Sequence, residues 1–587
     1  MGTRGLKVFR FRGRYYAYYV QYDSYYEGLG ATIVMSIPED PAEYRGTLGQ
    51  WLESMRAYYA DIEFQLEKSA NLIQKDVVLD EDVTTDLGLH EFPTSFPVLD
   101  SDFGFIENVY IINLDREILT MNYGIHWKLD NIPRADNLWL RAIRESIYDY
   151  MPTVSLELCP EEHLASPALP LPKPDKALEY EFRVVSPRTD IRNARHAFLT
   201  HVLAQVHIKY GRCSLAQFGT EWSPDSFPFR ELAFSLVSIA SGKADFWPQE
   251  KFSLGRNRRC SPGWFYERTI YGDDDGLLLE FGFPAHLPEE TPGVSPESTL
   301  YWLEDDVLVS LTLVVDGKAI TEAADFGLGR QCQRRRPFYM VVMSLFEIAL
   351  AEVALQSEDE DDEPFIRVTR PLQLSILQAR NTLSSHPRER PELVPGARSY
   401  PHTVDLLRRT GSTGSAKRLG ELWPGLCAMV DFFEVLGNRR AAAKSSGIFP
   451  AEIWERIILF TDYSTWKACS VASPDLRLCC LREYRVDDET AIIGRPYAGN
   501  RFLRSGQREQ LLSFNVENLD LGGHCLKMMA HQNSRNFSGV RLGDWVPVIS
   551  GRRKAAMTGV PISFFPAERT IEDGSSSSFG RDGEDAE

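Results

Sequence analysis

Apolar residues recur at helical spacing in one part of the first 150 residues and at strand spacing in others. One set steps by three and four residues along a helix that runs to about Ile73: Leu48, Leu52, Met55, Tyr59, Ile62 and Leu66. Leu6–Phe11 and Arg14–Gln21 flank Arg12-Gly13 and predict a β-hairpin. Further predicted elements are a strand at Ala31–Ile37, strands at Val109–Leu114 and Glu117–Met121, and a helix at Asn137–Tyr150. These elements together predict an α+β lobe at 1–150.

The remaining pattern predicts a second lobe at 191–355, between two linkers. Six prolines between 152 and 174 indicate a linker at 151–190. The lobe is expected to hold a helix at 191–208, strands at 263–271 and 277–282, a hairpin over 301–315, and a buried helix at 338–355. Beyond it we predict an acidic and polar linker with a short helix at 356–445, a three-helix module at 446–490, a C-terminal segment at 491–566 and a disordered tail at 567–587. The predicted fold class is therefore α+β and multidomain, with mixed antiparallel sheets covered by helices.

Composition narrows the class of protein. The 64 Lys and Arg residues against 83 Asp and Glu give a net charge of −19, which argues against a nucleic-acid partner. Nine cysteines with no CxxC pair suit reduced thiols, and the N-terminus has no apolar signal segment. The longest apolar stretch, 338–355, includes Glu347 and Glu352, so no membrane span is expected. We therefore expect a cytoplasmic or nuclear protein.

No catalytic, cofactor or metal site follows from the motifs. Asp325-Phe326-Gly327 lacks the other kinase signatures and is interpreted as a turn. Residues 411–417 lack the spacing of a phosphate-binding loop. His196 and His207 share a helix face but stand roughly 16 Å apart, too far for one metal ion. His524-Cys525 with His531 has no identifiable fourth ligand.

Residues 446–490 carry the strongest pattern. Pro450 suits the first position of a helix, and Ile453, Ile457 and Phe460 recur on one face of it. Residues 462–464 break this helix, and a second short helix follows at 465–471, with Trp466 and Cys469 expected to face inward. A third begins at Ser473-Pro474-Asp475, with a hydroxyl cap, a proline and a carboxylate in its first turn. Three helices this short need the rest of the chain or a partner to be stable.

These residues resemble the F-box family, whose pattern is matched by Phe449-Pro450, Glu452, Ile453, Ile457, Asp462, Val471 and Ser473. The match covers about 40 residues and departs from the family at Pro474 and Leu476. The resemblance implies docking on a Skp-type adaptor of a cullin–RING ubiquitin ligase, while the rest of the chain selects an unknown substrate protein. The adaptor contacts it implies are Phe449, Pro450, Ile453, Ile457, Phe460, Trp466 and Val471.

The N-terminal region has a looser resemblance. Arg12–Tyr16 and Glu107–Asp115 are similar to segments of uncharacterised filamentous-fungal proteins, which brings no activity with it. Two alternatives to an adaptor-docking receptor stay open. One is an enzyme within residues 1–355 that uses the three helices only structurally. The other is a protein-interaction scaffold without a ubiquitin role, expected if the chain itself covers Ile453 and Ile457.

Overall fold

The architecture was derived from a computed structural model of the 587-residue chain. The structure describes these residues: 2–46, 50–74, 86–89, 93, 106–145, 152–175, 181–191, 193–210, 215, 219–248, 277–280, 293–331, 337–355, 364–375, 416–444, 449–502, 508–519, 524–531, 543–550, 554–558 and 562–566. It is an α+β protein with mixed sheets, as predicted. Several predicted features lie outside the described residues: the strand at 263–271, the acidic run at 358–363, the polar stretch at 385–415 and the tail at 567–587.

The first lobe is built on five strands in the order β2-β1-β3-β4-β5. Their bounds are β1 Gly5–Phe11, β2 Arg14–Val20, β3 Asn108–Asn113, β4 Ile118–Met121 and β5 Ile125–Lys128. The helices are α1 Ala31–Ser36, α2 Pro41–Arg45, α3 Trp51–Gln74 and α4 Leu138–Arg141. The predicted hairpin, strand pair and long helix are confirmed. Leu52, Tyr59, Ile62 and Leu66 of α3 are buried against one face of the sheet.

A single carboxylate links the turn of the first hairpin to the rest of this sheet. Arg12 and Gly13 both take positive φ, and their N–H groups donate to Asp115 at 2.7 and 2.9 Å. Asp115 lies in the turn between β3 and β4, and β3 pairs in parallel with β1. The same side chain therefore satisfies a strained turn and connects two neighbouring hairpins.

Two elements of this lobe differ from the prediction. The strand predicted at Ala31–Ile37 is instead the helix α1, Ala31–Ser36, because Ile33 and Val34 of the helix and Ile37 just after it can then all be buried against the sheet. The predicted helix at Asn137–Tyr150 ends at Arg141. The chain then forms β6 Ile143–Glu145, which pairs with β7 Pro152–Val154. Tertiary packing and pairing override local preference in both places.

The second sheet has the strand order β11-β12-β13-β14-β15-β8, with β16 paired to β14. Its strands are β8 Glu181–Val185, β11 Leu300–Glu304, β12 Val307–Leu311, β13 Phe338–Met343, β14 Glu347–Leu355, β15 Pro364–Thr369 and β16 Leu372–Gln373. Helix α7, Gly317–Gln331, covers one face, and Leu308, Met340 and Val342 pack beneath it. Asp325-Phe326-Gly327 lies inside α7 and does not form the predicted turn.

The predicted helix at 338–355 is wrong. The stretch is an antiparallel pair of strands joined at Ser344, whose hydroxyl oxygen accepts the N–H groups of Phe346 and Glu347 at 3.1 and 3.0 Å. Strands buried on both faces are apolar at most positions, so polar alternation is too weak to distinguish them from a buried helix. The Glu352 side chain is partly exposed and forms an ion pair with Arg439 at 2.8 Å.

Three helices fill the space between the second sheet and a C-terminal sheet. They are α5 Ala194–Tyr210, α6 Phe227–Ser241 and α9 Pro424–Ala442, with the short α8 Ala416–Leu422 beside them. The C-terminal sheet has the order β10-β22-β21-β23-β20-β19-β18-β17, with β9 paired to β21. Its strands are β9 Asp245–Pro248, β10 Leu277–Glu280, β17 Glu483–Arg485, β18 Thr490–Phe502, β19 Arg508–Asn518, β20 His524–His531, β21 Gly543–Ser550, β22 Lys554–Met557 and β23 Ile562–Pro566. The helix predicted at 191–208 is confirmed as α5.

The two predicted linkers contribute to packed structure. Val154, Cys159 and Leu164, from the proline-rich segment, are buried in the core of the first lobe. Strand β8 from that segment pairs with β15, which comes from the predicted acidic linker. Helix α9, in the same predicted linker, has 19 residues and lies in the largest core. Proline content indicated a linker, although proline is also common in turns and at strand ends.

Among the described helices, none combines the length and apolar character needed to cross a bilayer.

A buried group of charges joins the first lobe to the loop before α6. Glu221 Oε2 lies 4.0 Å from Arg10 Nη1, and Arg10 Nε lies 3.9 Å from Asp115. Burial raises the pKa of Glu221 to about 7, and the positive charges of Arg10 and Arg116 only partly oppose this shift. The carboxyl group is thus easier to protonate in the folded protein than in the unfolded chain.

This raised pKa predicts a pH dependence. Between the ordinary carboxyl pKa near 4.5 and about 7, the folded state holds a proton that the unfolded chain has released. Stability therefore falls as pH rises through this window. Relative to Glu221→Gln, the wild type should lose on the order of 2 kcal/mol of unfolding free energy from pH 5 to pH 7.5, measured by urea denaturation. Glu322→Gln, at an exposed position, is the control; an unchanged pH slope in Glu221→Gln contradicts the prediction.

Candidate docking surface

The three predicted short helices are present at 449–490. They are α10 Ala451–Leu459, α11 Tyr463–Cys469 and α12 Pro474–Cys480, and residues 445–448 lie outside the described part of the chain. Asp462 caps α11 by accepting the N–H of Thr465 at 2.7 Å. Hydrogen bonding to the Thr465 side chain, to this N–H and to the Ser464 side chain lowers the pKa of the Asp462 carboxyl group. Ser473 caps α12 with Pro474 at the first helical position, as predicted. Pro450 is the N-cap residue of α10 and not its first helical residue, a correction of one position.

The entry of the chain into α10 is fixed by an aromatic contact. Phe449 precedes the N-cap, and its ring packs edge-on against Trp454, with centroids 5.2 Å apart. A contact between these two helix positions sets the direction from which the chain enters. Phe449 is still 46% exposed, so the same ring is also accessible from outside.

Helix α10 carries two adjacent apolar stripes. Ile458 is buried in the main core, and Trp454 packs against it from the same side. Ile453 and Ile457 follow on the neighbouring stripe and remain 41% and 39% exposed, and Phe460 at the helix end is 91% exposed. The apolar face of α10 is thus wider than the surface that the described chain covers, which leaves a second stripe open.

The other sequence-predicted contacts divide into two groups. Pro450 and Val471 are exposed, Val471 by 44%. Trp466 is only 4% exposed and lies inside, where its ring packs on Tyr484 at 5.8 Å, so its assignment as an adaptor contact is corrected. The helical pattern predicts that Trp466 faces inward, and this prediction is confirmed; only the contact set implied by the resemblance is wrong at this residue.

Two apolar residues that the motif did not identify are also exposed. Leu459 on α10 and Leu478 on α12 are 61% and 64% exposed. In α12 the neighbours of Leu478, Arg477 and Cys479, are both buried. A helix start at Ser473 sets the phase of α12, so residue spacing could have indicated that Leu478 points away from the core.

Arg477 connects α12 to α11 and α9 from a buried position. Its guanidinium donates to the carbonyl oxygens of Ser470 at 2.9 Å and Glu434 at 3.0 Å, and to the side chain of Asn438. Burial lowers the pKa of Arg477 to about 10, and the nearby charge of Arg195 acts in the same direction. Removing this side chain would leave several buried acceptors unpaired.

Arg485 performs the corresponding role at the end of α10. Its side chain is 1% exposed and donates to the carbonyl oxygens of Thr461 at 2.6 Å and Ile458 at 2.8 Å. The third donor, Nε, contacts Glu483 at 2.8 Å. A cation at this position matches the partial negative charge of the helix C-terminus and satisfies carbonyls that have no partner within the helix.

Polar contacts also tie the three helices to the neighbouring sheets. Lys467 on α11 forms an ion pair with Asp245 on β9 and donates to the carbonyl oxygen of Lys243 at 2.9 Å. The N–H of Tyr463 donates to Asp488 at 2.6 Å, just beyond β17. The three helices are therefore part of the main folded body and not a module on a flexible tether.

The Cys479 and Cys480 thiols near this surface are poor nucleophiles. Burial raises the pKa of the Cys480 thiol to about 12 and that of Cys479 above its ordinary value, so neither is a ready nucleophile. Away from the surface, His207 is buried against Trp423, and burial lowers its pKa to about 4. Within the described residues, no three His, Cys, Asp or Glu side chains converge as metal ligands. The side chains of His524, Cys525 and His531 lie outside that part of the chain.

Comparisons with protein-family models, with curated proteins and with solved structures returned no match for this chain.

The close approach of α9 to α12 yields a stability prediction. A Cβ atom at Gly437 would lie 2.6 Å from the guanidinium nitrogens of Arg477, whereas a Cβ atom at Gly329 on α7 meets nothing within 4 Å. We expect Gly437→Ala to lower the unfolding free energy by about 1–3 kcal/mol, because Arg477 must leave its carbonyl partners. Gly329→Ala, the matched control, should raise it by about 0.5–1 kcal/mol.

Urea denaturation followed by fluorescence measures both changes. An increase in stability for Gly437→Ala similar to that of the control would mean that Arg477 adapts without loss, which would contradict the buried connection.

Proposed function

We propose that this protein is a non-catalytic, F-box-like substrate receptor. In this proposal the exposed stripe of α10, together with Phe449, Pro450 and Val471, docks on a Skp-type adaptor of a cullin–RING ubiquitin ligase. The rest of the chain holds an unknown substrate protein near the ligase. The mechanism is recruitment: tethering raises the effective concentration of the target, and this chain performs no bond chemistry.

One observation carries the proposal. Ile453, Ile457 and Phe460 form an apolar row on a helix that is otherwise packed into the protein, and they remain 41%, 39% and 91% exposed. Exposed rows of large apolar side chains are costly in water and are typical of surfaces that a partner covers. The resemblance of this segment to the F-box family is the reason for proposing a Skp-type adaptor as that partner.

The scaffold and the enzyme alternatives each predict a different structural feature. The scaffold without a ubiquitin role was expected to have Ile453 and Ile457 covered by the chain, whereas both are exposed. An enzyme in residues 1–355 would need an accessible group of perturbed titratable residues. The most perturbed carboxyl group in the described chain, Glu221, is 9% exposed and faces Arg10 in the interior.

We also propose that the protein works in the cytoplasm or the nucleus. Five of the nine cysteines have side chains in the described part of the chain, and all five are free thiols: Cys159, Cys427, Cys469, Cys479 and Cys480. Cys479 and Cys480 both lie on the short helix α12, and both are buried thiols. Free buried thiols suit a reducing compartment.

The docking surface can be tested with purified full-length protein and a purified Skp-type adaptor. Ile453→Asp combined with Ile457→Asp should weaken binding by more than about 30-fold, because two carboxylates would be buried at the centre of the interface. Surface plasmon resonance gives the affinity, and the melting temperature is measured alongside. Because each side chain is about 40% exposed, the double variant should lose some stability but stay folded at the assay temperature.

The matched control is Phe326→Asp. Phe326 also lies on a helix, α7, and is 44% exposed, but it is remote in sequence from the proposed surface. This variant should bind the adaptor as the wild type does. Absence of binding by the wild type, or equal binding by the double variant, would remove the proposal.

A further inference from the structure

The end of the docking helix is held by a side chain that the F-box-like pattern does not include. Phe460 is the most exposed of the apolar residues on this surface, at 91%, and it stands between Ile458 and Thr461. The carbonyl oxygens of those two residues are the ones that Arg485 binds. The guanidinium therefore holds the backbone on both sides of the most exposed ring.

The other bonds in this turn are local. The N–H groups of Phe460 and Thr461 donate to the carbonyl oxygens of Ile457 at 3.1 Å and Ile458 at 3.2 Å, and the Thr461 hydroxyl donates to the Ile458 carbonyl at 2.7 Å. Among the described residues, no aromatic ring packs against Phe460, consistent with its exposure. The position of Phe460 thus depends on how the backbone turn is fixed, and Arg485 is its buried anchor.

We infer that Arg485 is a positioning residue of the docking surface, which fixes the turn at 458–461 so that Phe460 is presented in one orientation. The inference rests on the proposed docking function and deepens it. Fixing a contact residue in its bound geometry lowers the entropy lost on binding, so Arg485 raises affinity for the adaptor through Phe460 and without touching the partner.

The planar guanidinium group, with several donors in a fixed geometry, makes arginine better suited to this role than lysine. Three donors of Arg485 reach three acceptors: Ile458 O, Thr461 O and Glu483 Oε1. A lysine at this position keeps the positive charge but has a single point of attachment, so it cannot hold both carbonyls and the carboxylate in the same geometry. Arg485→Lys therefore loosens the turn while it retains the buried cation.

A double-mutant cycle in the full-length protein tests the inference. In the wild-type background, Arg485→Lys should weaken adaptor binding by about tenfold, because the coupling between residues in contact commonly has this size. In the Phe460→Ala background the same substitution should change binding by less than about twofold. Equal losses in both backgrounds would show that Arg485 acts through general stability, and the inference would fall.

Arg477→Lys is the matched control. Arg477 is also buried and also binds two carbonyl oxygens, but these belong to Ser470 and Glu434 and not to the turn at 458–461. Its effect on adaptor binding should be equal in the Phe460 and Phe460→Ala backgrounds. If Arg485→Lys prevents folding, Glu483→Gln takes its place; it weakens the contact to Nε and should give a smaller coupling, about threefold, of the same sign.

A second measurement needs no adaptor. Chymotrypsin cleaves after exposed aromatic residues once the backbone opens locally, and mass spectrometry identifies the fragment that ends at Phe460. Cleavage there should be about tenfold faster in Arg485→Lys than in the wild type, and unchanged in Arg477→Lys. Equal rates in Arg485→Lys and wild type would overturn the positioning role whatever the adaptor does.

The two failures are distinguishable. If the wild type binds no adaptor while cleavage at Phe460 rises in Arg485→Lys, the docking function fails and the positioning of Phe460 stands. If the wild type binds the adaptor and the two substitutions act independently, docking stands and the positioning role fails.

Discussion

Hydrogen bonding by two buried guanidinium groups is the interaction on which the C-terminal part of the fold depends. Three helices of seven to nine residues follow one another along the chain. The carbonyl oxygens in the last turn of each helix have no hydrogen-bond donor within that helix. Arg485 satisfies those of α10, and Arg477 satisfies that of Ser470 after α11. Because both arginines are buried, these bonds are shielded from water and impose a specific arrangement on helices too short to be stable alone.

Anchoring of one side of these helices explains why the other side can be apolar and open. Trp466 and Tyr484 pack with Phe198 of α5 in the largest core, so the free energy of folding comes from the inner side. The outer stripe at Ile453 and Ile457 is then not needed to hold the fold. It is free to be selected for another purpose, and in our proposal that purpose is binding.

The sequence predicted elements best where local pattern and tertiary packing agree. The hairpin at Arg12-Gly13, the amphipathic α3 and the cap of α12 at Ser473 could all be located from spacing and turn chemistry. The strands at 338–355 could not, because a chain buried on both faces has no polar alternation. At the docking surface, the exposed stripe of α10 and the inward position of Trp466 were predictable from helical spacing, but the contacts of Arg485 depend on residues that meet only after folding.

The shared core also has a consequence for genetic experiments on this chain. Deleting residues 446–490 would remove β17 from its sheet and uncover the aromatic rings around Phe198. A truncated chain of this kind would aggregate or be degraded, since several large apolar side chains would lose their cover. A phenotype seen after such a deletion would reflect loss of the whole protein, and only surface substitutions can separate a recruitment defect from a shortage of folded molecules.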